Sequence, residues 1–260
     1  MHHADNTAPI PALVTSLFAA PTLLGSFTLL FVVGLCFYVL TSGSSYLYYW
    51  MLRVDRFFPP EQRRKNEWTA VKKEWLWSFY NMVGNAALTA PIYTLIVSGR
   101  SKVYFDVAEY GMPYLFCSAA LQLVITELLV YWAHRLLHRP ALYKRLHIYH
   151  HQFRTPSPWA SMAFHPLDSF AQAAPHHLCA FLFPMHIGVY FFAIMFLQVW
   201  STLIHERVSW TRSAVLNSTA HHTAHHKLNG YNYGQFFTLC DRVFGTYKSP
   251  LGSAPMVPRQ

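Results

Sequence analysis

Long apolar stretches alternate with short polar, basic ones along this chain, and their lengths predict helices that cross a bilayer. Residues 23–49, LLGSFTLLFVVGLCFYVLTSGSSYLYY, contain no charged side chain. At about 1.5 Å of rise per residue, roughly 20 such residues span a hydrocarbon core. A second apolar stretch covers 76–98, with Asn81 and Asn85 expected to face another helix rather than lipid. A third, 112–133, holds a single carboxylate, Glu127. The fourth, 178–204, is interrupted by Pro184, His186 and Gly188, which predicts a bent hairpin or two short crossings. The pattern predicts an all-α, multi-span integral membrane protein of about four transmembrane helices, or three plus a bent hairpin. It is expected to form one domain over 1–260, with no internal repeat and no soluble second domain.

The polar stretches give the predicted orientation. Arg53, Arg56, Arg63, Arg64, Lys65, Lys72 and Lys73 follow the first apolar stretch. Residues 134–154 hold five Lys/Arg and no Asp/Glu, whereas 99–111 is poor in positive charge. By the excess of Lys/Arg on cytoplasmic loops, the first two segments face the cytoplasm. Charged residues make up only 12% of the chain, against about 25% in soluble domains, which strengthens the membrane assignment. The net charge of +9 suits anionic headgroups or an acidic protein partner. No basic-aromatic nucleic-acid motif is present, so nucleic acid is not an expected partner. Cys36, Cys117, Cys179 and Cys240 show no C-x-x-C spacing, so neither a zinc ribbon nor a disulfide framework is indicated. No cleavable signal peptide with a basic first segment is evident, and His2 and His3 are given no role.

Histidine carries the chemistry. Fourteen of the sixteen histidines lie between 134 and 226. They form HRLLH (His134, His138), HIYHH (His147, His150, His151), FHPLD (His165), LIHER (His205) and HHTAHH (His221, His222, His225, His226). Separations of three and four put side chains on one helical face, where they can share an ion. Eight to ten imidazoles exceed the three or four that one tetrahedral zinc takes, so two metal ions are expected. Imidazole suits iron, copper, zinc and nickel. His176, His177 and His186 fit a hydrogen-bonded structural role, and His221 is an extra beside His222 in the H-x-x-H-H spacing. The absence of H-E-x-x-H disfavours a zinc metalloprotease, and no serine or cysteine nucleophile sits in a recognised elbow. An all-imidazole metal pair next to a membrane suits oxygen activation on iron, with a lipid C–H bond as the nearby substrate. Glu127, seven residues before His134, is expected either to hold a ligating imidazole or to snorkel outward. Asp168 and Asp241 are candidates for the same supporting role.

The ordered set H-x-x-x-H, H-x-x-H-H, H-x-x-H-H resembles the fatty acid hydroxylase and sterol desaturase superfamily of membrane non-haem di-iron enzymes. AFHPLD and NYGQFFTL narrow the resemblance to its sterol C5-desaturase branch, over much of 131–250. The resemblance implies a four-helix membrane base under a cytosolic helical cap, with the catalytic region at 127–250. It implies metal ligands at His134, His138, His147, His150, His151, His222, His225 and His226, with His165 and His205 as further ones. The implied reaction uses O2, two iron ions and two electrons to introduce a C5=C6 double bond into a Δ7-sterol. A separate electron donor is expected, cytochrome b5 or a ferredoxin type. The expected location is the endoplasmic reticulum in a eukaryote or the inner membrane in a bacterium. Zinc is an expected substitute for iron in a purified sample. Met162, Glu206-Arg207 after His205, and Cys240 depart from the pattern of that branch. The alternatives are a hydroxylase or methyl oxidase acting on another lipid, and a non-enzymatic membrane metal transporter. A transporter would place its ligands near mid-span, whereas these clusters flank the spans.

Overall fold

A computed structural model describes residues 22–58, 60, 63, 67–211 and 213–250. His2 and His3, and Arg64 and Lys65 of the basic loop, lie outside the described residues. The first helix, α1 (Leu23–Tyr46), starts where the Thr22 hydroxyl accepts a hydrogen bond from the Gly25 amide, and it ends in a π-helical segment, Leu47–Leu52. The second, α2 (Glu67–Val97), runs antiparallel beside it. Ser26 Oγ meets Thr94 Oγ1 at 2.8 Å at one end of the pair, and Tyr38 and Ser78 both donate to the Trp159 carbonyl nearer the other. Asn81 turns inward, and its amide nitrogen donates to the Met162 carbonyl at 2.9 Å.

The third long helix, α3 (Gly111–Leu137), is followed by short turns that lead to His151. Next come α4 (Pro166–Leu182) and α5 (Ile187–His205), then the polar α6 (Thr219–Leu228) and the short α7 (Leu239–Val243). The apolar stretch 178–204 is thus the end of α4, a sharp turn at Phe183–Pro184, and most of α5. At that turn β2 (Met185–His186) pairs in parallel with β1 (Val103–Tyr104), a two-residue departure from an all-α fold. His186 stabilises the turn: one ring nitrogen accepts from the Gly188 amide at 3.1 Å, and the other lies 3.0 Å from the Phe105 carbonyl. A histidine here serves as a helix cap.

Among the described residues, three helices are long and apolar enough to cross a membrane: Leu23–Leu52, Gly111–Leu137 and Ile187–His205. The helix α2, which covers the expected second span, has the length but carries Glu67, Lys72, Lys73 and Glu74 in its first turns and two asparagines further on. It packs extensively on α1 and α4. At Gly84 a Cβ would come within 2.5 Å of the Pro166 ring, so the absence of a side chain lets the start of α4 sit against α2. The C-terminal ends of α1, α3 and α5 and the N-terminal turns of α2 lie at one end of the helical body. The short turns, α6 and α7 gather there too. Ser45 and Trp50, at the end of α1, donate to Glu206 at the end of α5, and Ser157 donates to Glu74 of α2.

Candidate metal centre

Five elements bring nine histidines to this end. The last turn of α3 supplies His134, and His138 caps the helix. His147, His150 and His151 lie on consecutive short turns. His205 is the last residue of α5, and α6 contributes His222, His225 and His226. Two groups result. The first is His134, His138, His147, His151 and His225; the second is His150, His205, His222 and His226. Within each group the candidate ligand atoms lie within 4.8 Å of one another, and all nine side chains except half-buried His138 are buried.

The hydrogen bonds orient the rings. His134 Nδ1 lies 3.0 Å from the Tyr233 carbonyl, His150 Nδ1 3.2 Å from that of Ala163, His205 Nδ1 2.6 Å from that of Ser201, and His225 Nδ1 2.7 Å from that of Tyr231. A carbonyl oxygen only accepts, so each of these nitrogens must carry the proton, and each Nε2 is left with a lone pair. His147 Nδ1 meets the Asp168 carboxylate at 2.7 Å, with both side chains fully buried. Gln172 donates to the other Asp168 oxygen at 2.8 Å.

The Nε2 atoms then face one another. His150 to His205 is 3.2 Å, His205 to His222 3.0 Å, His222 to His226 3.1 Å, His147 to His151 3.1 Å, and His151 to His225 3.0 Å. Two lone-pair nitrogens such as those of His150 and His205 cannot hydrogen-bond to each other. A shared cation explains the contact: ligands at right angles, each about 2.1 Å from one ion, sit roughly 3 Å apart. Among the described residues His138 Nε2 is buried with no hydrogen-bond partner, as a nitrogen reserved for an ion would be. Burial and the mutual repulsion of neighbouring imidazoles push His138, His150, His151, His222, His225 and His226 well below the ordinary histidine range. The neutral form they hold is the one that binds metal. The donor set therefore fits two divalent transition-metal ions.

The structure places two of the expected residues away from the two groups. His165 joins neither group: its Nδ1 accepts from the Leu167 amide at 3.2 Å as the N-cap of α4, and its ring lies against Tyr149 and Tyr80. It precedes Pro166, whose fixed backbone angle starts the helix, and the side chain turns back to cap it. Glu127 neither holds an imidazole nor snorkels outward. Its carboxylate accepts from the Phe236 and Phe237 amides, both at 3.0 Å. Asp241 acts alike, accepting from the Tyr233 and Gly234 amides at 2.8 and 2.9 Å. Together they clamp the loop 230–237, whose Tyr231 and Tyr233 carbonyls orient His225 and His134. A Cβ on Gly234 would overlap the Phe237 carbonyl, so this tight turn requires glycine. Those orienting carbonyls left no side-chain signal in the sequence. Outside the groups, His176 and His177 bond to Gln235 and Tyr190, His186 caps α5, and His221 forms a capping box with Ser218 at the start of α6.

Below the histidines lies a cavity of about 500 Å³. Its walls are mostly apolar, from α1, α2 and α5, and include Phe31, Phe37, Met82, Ile194 and Leu197; His134, His150, His205 and His222 close its end. The volume falls in the usual range for a ligand pocket.

Residues 119–246 match the fatty acid hydroxylase family model. The chain is 37% identical to the lathosterol oxidase of Homo sapiens over 205 residues, 77% of this chain and 66% of that protein. It is 36% identical to a Δ7-sterol 5(6)-desaturase of Gibberella zeae, over 82% of this chain and 65% of that protein. It is 36% identical to the lathosterol oxidase of Mus musculus, over 86% of this chain and 75% of that protein. The chain belongs to the fatty acid hydroxylase family. Within it, the chain is similar to Δ7-sterol 5(6)-desaturases and lathosterol oxidases, and it spans just under two thirds of the length of the first two relatives. No solved structure matches it.

Proposed function

We propose that this chain is a membrane-bound, O2-dependent oxidoreductase with two iron ions that introduces the C5=C6 double bond into a Δ7-sterol. One observation carries the reading: nine imidazoles in two groups close the end of an apolar cavity of about 500 Å³. The relatives named for Δ7-sterol desaturation supply the substrate class. Iron bound in the two groups would supply the oxidation, in which O2, two electrons, two protons and the two hydrogens from C5 and C6 give two waters. The ligands would be His134, His138, His147, His151 and His225 for one ion, and His150, His205, His222 and His226 for the other.

The chain's own residues set the conditions for that chemistry. Asp168 holds the proton on His147 Nδ1, and the carbonyls of Tyr231, Tyr233, Ala163 and Ser201 do so for four more rings, so the Nε2 atoms of these five are aimed inward without reorganisation. The apolar walls exclude water and hold the lipid with its reacting carbons at the histidine end. In this reading α1, α3 and α5 cross the bilayer with α2 beside them as a fourth span, and the histidine end is a cytosolic cap. Arg135, Arg139, Lys144, Arg145 and Arg154 surround that end and suit an acidic electron donor of the cytochrome b5 or ferredoxin type. The membrane is the endoplasmic reticulum in a eukaryotic cell or the inner membrane in a bacterial one.

The test is sterol profiling of a C5-desaturase-deficient host that expresses the chain and has a compatible donor. Accumulation of Δ5,7-sterols is expected. Normal expression with unchanged Δ7-sterols rejects the substrate, and appearance of a hydroxylated lipid instead supports the hydroxylase alternative.

A further inference from the structure

Among the described residues, two amides along the cavity wall, Asn85 and Gln235, have a buried polar atom without a hydrogen-bond partner, and Gln235 is the more deeply buried of the two. It sits in the clamped loop, two residues after Tyr233, whose carbonyl holds His134. Its own carbonyl accepts from Trp200 Nε1 at 2.8 Å, which fixes its backbone beside α5. The side chain is 8% exposed and lines the same cavity as His134, His150, His205 and His222. His176 Nε2 lies 3.3 Å from Oε1, while Nε2 of the amide is buried without a partner. A buried amide with one end unpaired is unfavourable unless something else satisfies it. A hydroxyl, which both donates and accepts, is matched to the free end whichever way the amide is turned.

We propose that Gln235, held by His176, is the anchor for the hydroxyl group of the lipid substrate. The inference rests on the sterol reading above. A Δ7-sterol carries one polar group, the hydroxyl on C3, and C3 is two bonds from C5. A hydroxyl bound beside the histidines therefore brings C5 and C6 to them, and the apolar remainder extends along α1, α2 and α5. A hydroxyl bound at the far end of the cavity would leave the reacting carbons distant. The α5 wall runs back to Tyr190, fifteen residues before His205, which at about 1.5 Å per residue is roughly 22 Å along the helix.

The test is equilibrium binding of radiolabelled Δ7-sterol and its 3-deoxy analogue to the full-length, metal-loaded protein in detergent micelles, for wild type and Gln235→Leu. Wild type is expected to bind the 3-hydroxy sterol roughly 10-fold more tightly than the analogue, the usual scale for one hydrogen bond to an otherwise unpaired group. In Gln235→Leu that preference disappears, while affinity for the 3-deoxy analogue is retained. The analogue comparison in wild type needs no variant, so it stands even if Gln235→Leu does not accumulate. Equal binding of both sterols by wild type overturns the proposal, as does an equal loss for both sterols in the variant. Those outcomes leave the sterol reading intact when wild type still yields Δ5,7-sterol. Failure of wild type to bind either sterol overturns both.

Discussion

Replacing Asp168 tests how the protein fixes its ligands. The carboxylate is fully buried and accepts from His147 Nδ1 at 2.7 Å and from Gln172 Nε2 at 2.8 Å. Among the described residues it is the one carboxylate seen hydrogen-bonded to an imidazole of either group. In Asp168→Ala both donors lose their acceptor and the His147 ring is free to turn. In Asp168→Asn an acceptor for His147 remains but the negative charge does not. Losing a partner of this kind costs about 10- to 100-fold in metal affinity, or roughly 1.4–2.7 kcal/mol. Asn is expected near the lower figure and Ala near the upper. The assay is metal content by mass spectrometry after dialysis of purified protein against graded chelator. Because His147 belongs to the five-histidine group, the ratio of iron to chain should fall from two towards one before the second ion leaves. If both variants keep two ions up to the wild-type chelator concentration, Asp168 does not support a metal ligand and the assignment of that group is refuted.

Other expectations follow from the same geometry. His165→Ala should retain two metal ions per chain and lower stability by about 1 kcal/mol, the scale of a lost N-cap, seen as a small drop in melting temperature; loss of an ion would restore His165 to the ligand set. Glu127→Gln should destabilise the protein by about 1–3 kcal/mol, because one amide can replace a carboxylate at Phe236 or at Phe237 but not both; an unchanged melting temperature would refute its role as a clamp. Gly84→Ala should force α4 away from α2 at Pro166 and lower both melting temperature and metal content; normal values for both would show that the contact yields cheaply. For pH, the folded-state pKa values of His150, His222, His225 and His226 lie well below the usual figure of about 6.5. The unfolded chain therefore binds more protons, and apoprotein stability is present above about pH 6.5 and is lost as pH falls. The apoprotein melting temperature should drop between pH 7.5 and 5.5, and a flat profile would contradict the burial of neutral imidazoles.

The histidine motifs were legible in the sequence because helical spacing is a local property: His134 and His138, His222 and His226, and the H-x-x-H-H runs stand four or fewer positions apart. Their division into two groups was not, since His150 leaves its neighbour His151 to join His205, and His225 leaves His226 to join His134 and His138. That sorting depends on how α3, α5 and α6 meet. Asp168 was visible only as a carboxylate near a histidine motif, and its partner proved to be His147, 21 residues earlier. Glu127 was noticed for the cost of a carboxylate in an apolar stretch, but its partners are backbone amides 109 and 110 positions away, and amides carry no sequence signal. His165 had the residue type and setting of a ligand, yet the proline after it makes its position a helix start. The break in 178–204 was announced by Pro184, while the pairing with Val103–Tyr104 that stabilises it was not.

The central claim is that two histidine-bound irons and a lipid cavity together perform an O2-dependent desaturation. The most direct measurement uses purified, iron-loaded protein with a chemical or protein reductant, Δ7-sterol and 18O2, and records oxygen uptake and product mass together. The account predicts one O2 consumed per Δ5,7-sterol formed, with a product two mass units lighter than substrate and no 18O in the sterol. Retention of 18O in the sterol, or Δ5,7-sterol formed at the same rate without O2 or without iron, would contradict it.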